Sequence, residues 1–347
     1  MRLRKLTVEQ QDWELKNEFR ISRGARTKTE VVLVTISEEN HVGRAEAVPT
    51  AHYNESIKSV LNQIEAIRSS IESGLSINEL NNRLAPGSAR NALDCALWDL
   101  QARKAGTSVA KLTQTEPFDG CDTAQTLSMD SINKMADAAK LLAEYPLIKV
   151  KFDSKDVIEK MQAICKSAPN SRFIIDANEA WDINQLNYFS ERLVNCNVSM
   201  IEQPLPSAHD SDLNKYLGAI PLCADESIHT RKELAQVTQL YQYINIKLDK
   251  TGGLTEAIKL LGAAKENNMG IMVGCMVGTS LAMAPATLLT YCAEFVDLDG
   301  PTLLASDHDF GFKYNNGKME KSEPKLWGGP YNLSDDGSSY GYSHDNQ

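Results

Sequence analysis

Three carboxylates close three successive apolar runs: Asp176 in "RFIIDAN", Glu202 in "VSMIEQP" and Asp225 in "PLCADES". If these runs are strands whose ends converge, the like charges raise one another's pKa and destabilise the chain unless a cation neutralises them. An all-oxygen ligand set suits Mg²⁺, with water or substrate completing an octahedron. Asn178 and Gln203 stand beside the acids as donors that would orient them. The competing reading is three unrelated turn or capping acids.

Lysines flank this trio. In "PLIKVKFD", Lys149 and Lys151 leave one face of a strand while Ile148, Val150 and Phe152 leave the other. A lone Lys-x-Lys is ordinarily a solvated strand face. "YINIKLDK" supplies Lys247 further along the chain. Amines on opposite sides of a metal-bound substrate can take a proton from one face of a carbon and return one to the other. Lys149 beside Lys151 would favour the neutral amine that a base requires. In "FVDLDGP", Asp297 and Asp299 share a face and are not needed for the metal, which suits them to a cationic group of the substrate. Their competing roles are a cap for Asp297 and a turn start for Asp299.

These residues need a scaffold that gathers strand ends. From about residue 121 the chain repeats a short apolar run, a polar residue at its C-terminal end, a loop and a helix-like segment. There are eight such runs: "TAQTLSM", "LIKVKF", "RFIIDAN", "VSMIEQP", "PLCADES", "YINIKLDK", "GIMVGCM" and "FVDLDGP". Strands alternating with helices predict a parallel sheet, and eight units predict a closed α/β barrel with its site at the C-terminal mouth. "PTLLASD" follows the eighth run without a helical pattern, so the last helix is expected to be missing. The first 115 residues read as a separate α+β domain. Its clearest helix is "SARNALDCALWDLQARKAG", with Ala89, Ala92, Leu93, Ala96, Leu97 and Leu100 on one face and Gly106 past its end. "TGGLTEA" is a turn into a helix and lacks the glycine pattern of a phosphate loop.

The 347 residues carry a net charge of −10 and no basic run, which argues against a nucleic-acid partner. Seven scattered cysteines, never spaced Cys-x-x-Cys, argue for reduced thiols and against a disulfide framework or zinc site. With no signal-like N-terminus, the expected compartment is the cytoplasm. Residues 267–293 are free of charge and long enough for a bilayer, but Gly270, Gly274, Gly278 and Pro285 divide them into strand, turn and helix, so no membrane partner is expected. The six histidines show no metal-ligand spacing, although His52 and His229 are candidates for the mouth.

The lysine pair, the three strand-end acids and Lys247 resemble the muconate-lactonising subgroup of the enolase superfamily, whose Lys bases act with Mg²⁺. "VDLDGPTLLASD", with "SARNALDCALWDLQARKAG", "ANEAW", "IEQPLP", "ADESIHTR" and "INIKLDKTGGLTEA", is similar to the dipeptide epimerases within it. The resemblance runs from about residue 10 to about residue 310. It implies a modified TIM barrel, (β/α)₇β, over residues 116–304. An α+β capping domain would comprise residues 1–115, joined by the C-terminal segment 305–347. It also implies one Mg²⁺ held by Asp176, Glu202 and Asp225, acid/base roles for Lys151 and Lys247, a helper role for Lys149, and an α-ammonium grip by Asp297 and Asp299. A mobile loop around "ISRGARTK" is implied to select the side chain, with Arg23 or Arg26 pairing with a glutamate γ-carboxylate. The second cap loop, "PTAHYNES", matches no placed motif.

The activity so implied is two-base 1,1-proton transfer, through an enediolate, at the C-terminal residue of L-Ala-L/D-Glu-like dipeptides, in murein peptide metabolism; barrels of this kind often associate, which makes a homo-oligomer possible while the sequence does not fix the oligomeric state. A cycloisomerase or o-succinylbenzoate synthase would use the same metal and lysines, but Asp297 and Asp299 would repel their anionic substrates. A Schiff-base aldolase would leave the acids unexplained. A non-catalytic binding protein would have lost a base or ligand, and none is missing.

Overall fold

The computed structural model describes residues 3–330. Lys5–Ile21 and Gly24–Glu38 form a long antiparallel hairpin, and His41–Ala47 completes a three-stranded sheet. The helix Ser88–Lys104 lies on this sheet so closely that a Cβ at Gly43 would sit 2.2 Å from the Ala96 carbonyl oxygen. The apolar face read from the sequence is buried, but so are Arg90, Asn91, Asp94, Asp99 and Arg103. The helix is sandwiched, and its second face meets the barrel through paired polar groups. Arg90 donates to the carbonyls of Thr251 (2.6 Å) and Gly252 (2.9 Å), Asn91 to Asp249 (2.9 Å), and Thr255 Oγ1 to Asp94 (2.6 Å). Buried polar groups persist where they are hydrogen-bonded, which is why polar residues here do not signal solvent.

Eight parallel strands follow in chain order: Gln125–Leu127, Leu147–Lys151, Arg172–Asp176, Val198–Glu202, Leu222–Ala224, Tyr243–Ile246, Gly270–Gly274 and Phe295–Asp297. They coincide with the eight apolar runs. The Ala124 N–H donates to the Val296 carbonyl at 2.7 Å and joins the last strand to the first. Alternate residues separate the interior from the helical shell. Leu147, Ile174, Met200, Cys223, Met272 and Phe295 form a plug inside the barrel, whereas Ile148, Val150 and Phe152 belong to the core outside it. Two residues beyond the plug stand Lys149, Asp176, Glu202, Asp225 and Asp297. The lysines of strand two therefore point into the barrel: Lys149 is 1% and Lys151 9% exposed.

The shell is less regular than the strands. Helices Ile132–Leu141, Val157–Ser167, Ile183–Leu193, Leu254–Glu266 and Ser280–Ala286 follow strands one, two, three, six and seven. After strand four the chain makes a 3₁₀ segment, Ser207–Lys215, and after strand five only the turn of helix Leu234–Val237. Pro204 and Pro206 remove N–H donors where the fourth helix would begin. Gly252 and Gly253, with φ of +71° and +110°, make the turn in "TGGLTEA". The charge-free stretch resolves into strand seven and its helix, and among the described residues no helix is long and apolar enough to cross a membrane. All seven cysteines are free.

Strand eight is followed only by the 3₁₀ turn Gly300–Leu303. A groove of about 1310 Å³ lies beside it, lined by Met135, Ala138, Leu142, Leu304 and Phe312 and not by Lys149, Lys151 or Lys247. Tyr314–Asn315 then pairs with Lys318–Met319, which in turn pairs with Cys121–Asp122 ahead of strand one. Trp327 Nε1 donates to the Cys95 carbonyl (3.1 Å) and the Gly328 N–H to Asp99 (2.7 Å), so this segment touches both barrel and N-terminal helix. The Gly/Ser/Asp-rich tail beyond Pro330 lies outside the described residues.

Candidate metal and acid/base centre

Strand register places the acids side by side. Asp176 pairs directly with Glu202, and Glu202 with Cys223, two residues before Asp225. All three carboxylates are almost wholly buried. Lys149 Nζ lies 3.0 Å from Asp176, 2.7 Å from Glu202 and 2.8 Å from Asp297. Lys151 Nζ lies 2.5 Å from Asp176 Oδ2, and Lys247 Nζ lies 2.6 Å from Asp225 Oδ2 and 3.9 Å from Glu202. Burial opposes charge on Asp176 and Asp225, yet the lysines hold both below the usual carboxylate range. Likewise, burial opposes the charge of Lys149, but Asp297, Glu202 and Asp176 hold its pKa well above the usual value. Lys149 is therefore a fixed cation among acids. Burial and neighbouring Asp176 push Glu202 up to about 7.

The donor set suits a hard divalent cation. It consists of carboxylate oxygens alone; Asn178 Oδ1 is buried without a hydrogen-bond donor, and buried Glu202 Oε2 has the Lys149 ammonium at 2.7 Å in place of a directed hydrogen bond. Glu202 is oriented through Oε1, which accepts from Asn245 Nδ2 at 2.8 Å. Gly274 makes room for that amide, since a Cβ there would lie 2.5 Å from Asn245 Oδ1. Gln203 differs from its expected role as a donor to the carboxylates. Its Oε1 accepts the backbone N–H groups of Asp225 (2.9 Å) and Ser227 (3.1 Å), so it fixes the turn that presents Asp225. Asn178 contributes its backbone N–H to Asp176 Oδ1 at 2.9 Å. Sequence reasoning missed Asn245 and also Lys250, which donates to Asp225 Oδ1 at 2.5 Å. The one signal for Lys250 was its place three residues after Lys247.

Asp297 and Asp299 are both buried at the end of strand eight but are bonded differently. Asp297 Oδ2 binds Lys149, leaving Oδ1 buried without a donor. Asp299 Oδ2 accepts the Thr126 N–H at 2.6 Å and Gln125 Nε2 at 3.2 Å, tying strand eight to strand one. Burial and Asp297 push Asp299 up to about 7.

The cap closes over this mouth from one side. The hairpin turn after Ile21 carries Arg23, whose guanidinium donates to the Asn178 carbonyl (3.2 Å) and Glu226 Oε1 (2.9 Å) and lies 3.6 Å from Glu179. Arg26 instead lies over the Phe19 ring at 5.9 Å, along the hairpin. The "PTAHYNES" loop places His52 Nε2 2.9 Å from Glu179 and the Tyr53 ring 4.7 Å from that of His229. Both histidines do reach the mouth. His52, Glu179 and Glu226 gather closely enough to hold a cation, and Arg23 already supplies one there. Glu179 and Glu226, next to residues named from the motifs, went unread because turn acids are common.

A family profile described as "Enolase C-terminal domain-like" matches residues 134–323, and one for the "Mandelate racemase / muconate lactonizing enzyme, N-terminal domain" matches residues 3–113. An N-acetyl-D-glutamate racemase of Pseudoalteromonas sp. is 46% identical over 87% of this chain and 96% of its own length. The L-Ala-D/L-Glu epimerase of Escherichia coli (strain K12) is 41% identical over 91% of this chain and 99% of its own. The crystal structure of an Agrobacterium tumefaciens enolase family member with homology to dipeptide epimerases, with bound sodium and L-Ala-L-Glu, superposes with a TM-score of 0.92 at 42% identity. It covers 94% of this chain and 100% of that one. With the eight-stranded barrel, the antiparallel capping sheet and these matches, the chain belongs to the enolase superfamily, in its mandelate racemase/muconate-lactonising branch.

Proposed function

We propose that this protein is a Mg²⁺-dependent isomerase that inverts the α-carbon of the C-terminal residue of L-Ala-L/D-Glu-like dipeptides by two-base proton transfer. The observation that carries this reading is the pairing of Lys151 and Lys247, on strands two and six, with the outer acids of one buried carboxylate row. Asp176, Glu202 and Asp225 would hold the ion, which when bound offsets the negative charge that gathers on the substrate carboxylate as the α-proton leaves. Lys151 takes or gives a proton on one face of the α-carbon and Lys247 on the other. Lys149, tied to three carboxylates, fixes the row and adds positive charge where the transition state is negative.

Selectivity is assigned to the rim. Arg23 faces the mouth and suits a γ-carboxylate, whereas Arg26 is committed to Phe19. The donor-free Oδ1 of Asp297 suits the α-ammonium group, while Asp299 supports the strand end beside it. The E. coli epimerase and the L-Ala-L-Glu complex support a dipeptide substrate. The Pseudoalteromonas relative favours a second reading, racemisation of an N-acylated glutamate, in which Asp297 Oδ1 would accept an amide N–H. Incubation with Mg²⁺ in D₂O distinguishes the two. Deuterium at the α-carbon and formation of the D-Glu diastereomer from L-Ala-L-Glu, faster than racemisation of N-acetyl-L-glutamate, supports the dipeptide reading. The reverse order replaces it with the second, and no exchange with either refutes both.

A further inference from the structure

Lys250 is a buried ammonium that the proton-transfer scheme leaves unused. It sits in the short helical turn Leu248–Thr251, three residues after Lys247, the extended residue at which that turn begins. Both lysines reach Asp225 but take different oxygens: Lys247 Nζ is 2.6 Å from Oδ2 and Lys250 Nζ 2.5 Å from Oδ1. Lys250 also donates to the backbone carbonyls of Asp225 (2.5 Å) and Asn245 (3.0 Å). Three acceptors consume the three N–H bonds of an ammonium, so this side chain, 1% exposed, has none left for a substrate. The turn that carries it is anchored from behind, by Asp249 on the Val48 N–H (3.0 Å) and by Arg90 on the Thr251 and Gly252 carbonyls.

We infer that Lys250 is a positioning residue for the metal centre. It locks Asp225 through Oδ1, so that Oδ2 alone is offered to the cation and to Lys247. This rests on the reading of Asp225 as a ligand. Two physical effects of opposite sign make the inference testable. A cation beside a ligand repels the metal, so by charge alone its removal tightens binding. A donor to a ligand's other oxygen fixes that ligand, and loss of such a partner typically weakens metal affinity by about 10- to 100-fold. The second effect is the larger here, because three bonds and the anchored turn leave Lys250 no alternative position.

The test is Mn²⁺ binding to the full chain without substrate, followed by electron paramagnetic resonance, with thermal melts to establish folding. The wild type is expected to bind one Mn²⁺ and Asp225→Asn to lose it. Lys250→Met is expected to bind about 10- to 100-fold more weakly. Lys250→Gln, which keeps a donor for Oδ1, is expected to lose less. Turnover of Lys250→Met should recover toward wild type as Mn²⁺ is raised, which a general packing defect would not produce. A folded Lys250→Met that binds Mn²⁺ as tightly as wild type, or more tightly, overturns the inference. If Lys250→Met does not fold, Lys250→Gln decides by the same criterion. A wild type that binds no Mn²⁺ refutes the metal reading itself, an outcome distinct from equal binding by wild type and variants.

Discussion

The barrel centre and the seam between cap and barrel hold similar residue types under opposite conditions. In the centre, Lys149, Lys151, Lys247 and Lys250 meet Asp176, Glu202, Asp225 and Asp297 with every lysine within 3.0 Å of a carboxylate oxygen. Apart from Lys250, carried by the helical turn after strand six, these groups ride on strand ends whose relative positions are set by backbone register. At the seam, half-buried Arg23 (33% exposed) and His52 (29%) meet Glu179 (12%) and the buried Glu226 (2%) at turns contributed by two domains. Buried charges cost several kcal/mol when a partner is lost, whereas exposed pairs contribute roughly 0–1 kcal/mol. The centre is thus rigid and suited to the proton transfers, and the seam is adjustable and suited to selecting what enters.

The largest predicted effects lie in the centre. Lys247→Ala should lower epimerisation by at least about 10³-fold, within the range contributed by a positioned acid or base. It should leave deuterium exchange intact for the single isomer whose α-proton faces Lys151. Exchange of both isomers in that variant would dissolve the two-base assignment. Chelation of divalent ions should likewise abolish turnover, with recovery on adding Mg²⁺, and undiminished turnover in chelator would remove the metal from the scheme.

The contrast between the two regions also explains what could be read from the sequence. Strand-end residues announce themselves because the period of two fixes their direction and the following loop fixes their height, so Lys149, Lys151, Asp176, Glu202, Asp225 and Lys247 were all legible from short motifs. The eight strands were legible for the same reason. Helix four was not, since Pro204 and Pro206 break a pattern that the repeat had implied, and no proline marks the shortened fifth helix, Leu234–Val237. Contacts that depend on the cap docking onto the barrel were hidden: nothing local distinguishes Arg23, over the mouth, from Arg26, over Phe19. Asp297 and Asp299 share a face by periodicity, yet hydrogen bonding from Thr126 and Lys149 gives them different tasks.

An intermediate effect sharpens the comparison at the seam. Arg23→Leu should reduce kcat/KM for a glutamate-containing substrate by roughly 10- to 100-fold, the loss of one charge-assisted hydrogen bond of about 1.5–3 kcal/mol. The same variant should act nearly normally on L-Ala-L-Ala, and Arg26→Leu should change neither rate. Equal losses on both substrates would mean that Arg23 holds the centre together and that the two regions are not separable.

The smallest predicted effect concerns the joint between them. Asp249, on the turn between Lys247 and Lys250, accepts the Val48 N–H and the Asn91 amide through Oδ1 and is buried. Burial, with Glu55 and Glu46 nearby, pushes its carboxyl from 3.8 up to about 7. The folded chain therefore keeps a proton there that the unfolded chain releases near 3.8. By linkage, the folded state binds more protons between those values, so this group's contribution to stability falls as pH rises from about 4 to about 7. Asp249→Asn retains the Oδ1 acceptor and removes the charge. Its Tm should exceed that of wild type at pH 8 by a few degrees and converge with it near pH 4, with turnover little changed. Melting curves recorded across that range check the sign. A variant that runs parallel to wild type would mean that the joint between cap and barrel carries no titrating group, and that its rigidity comes from packing and neutral hydrogen bonds alone.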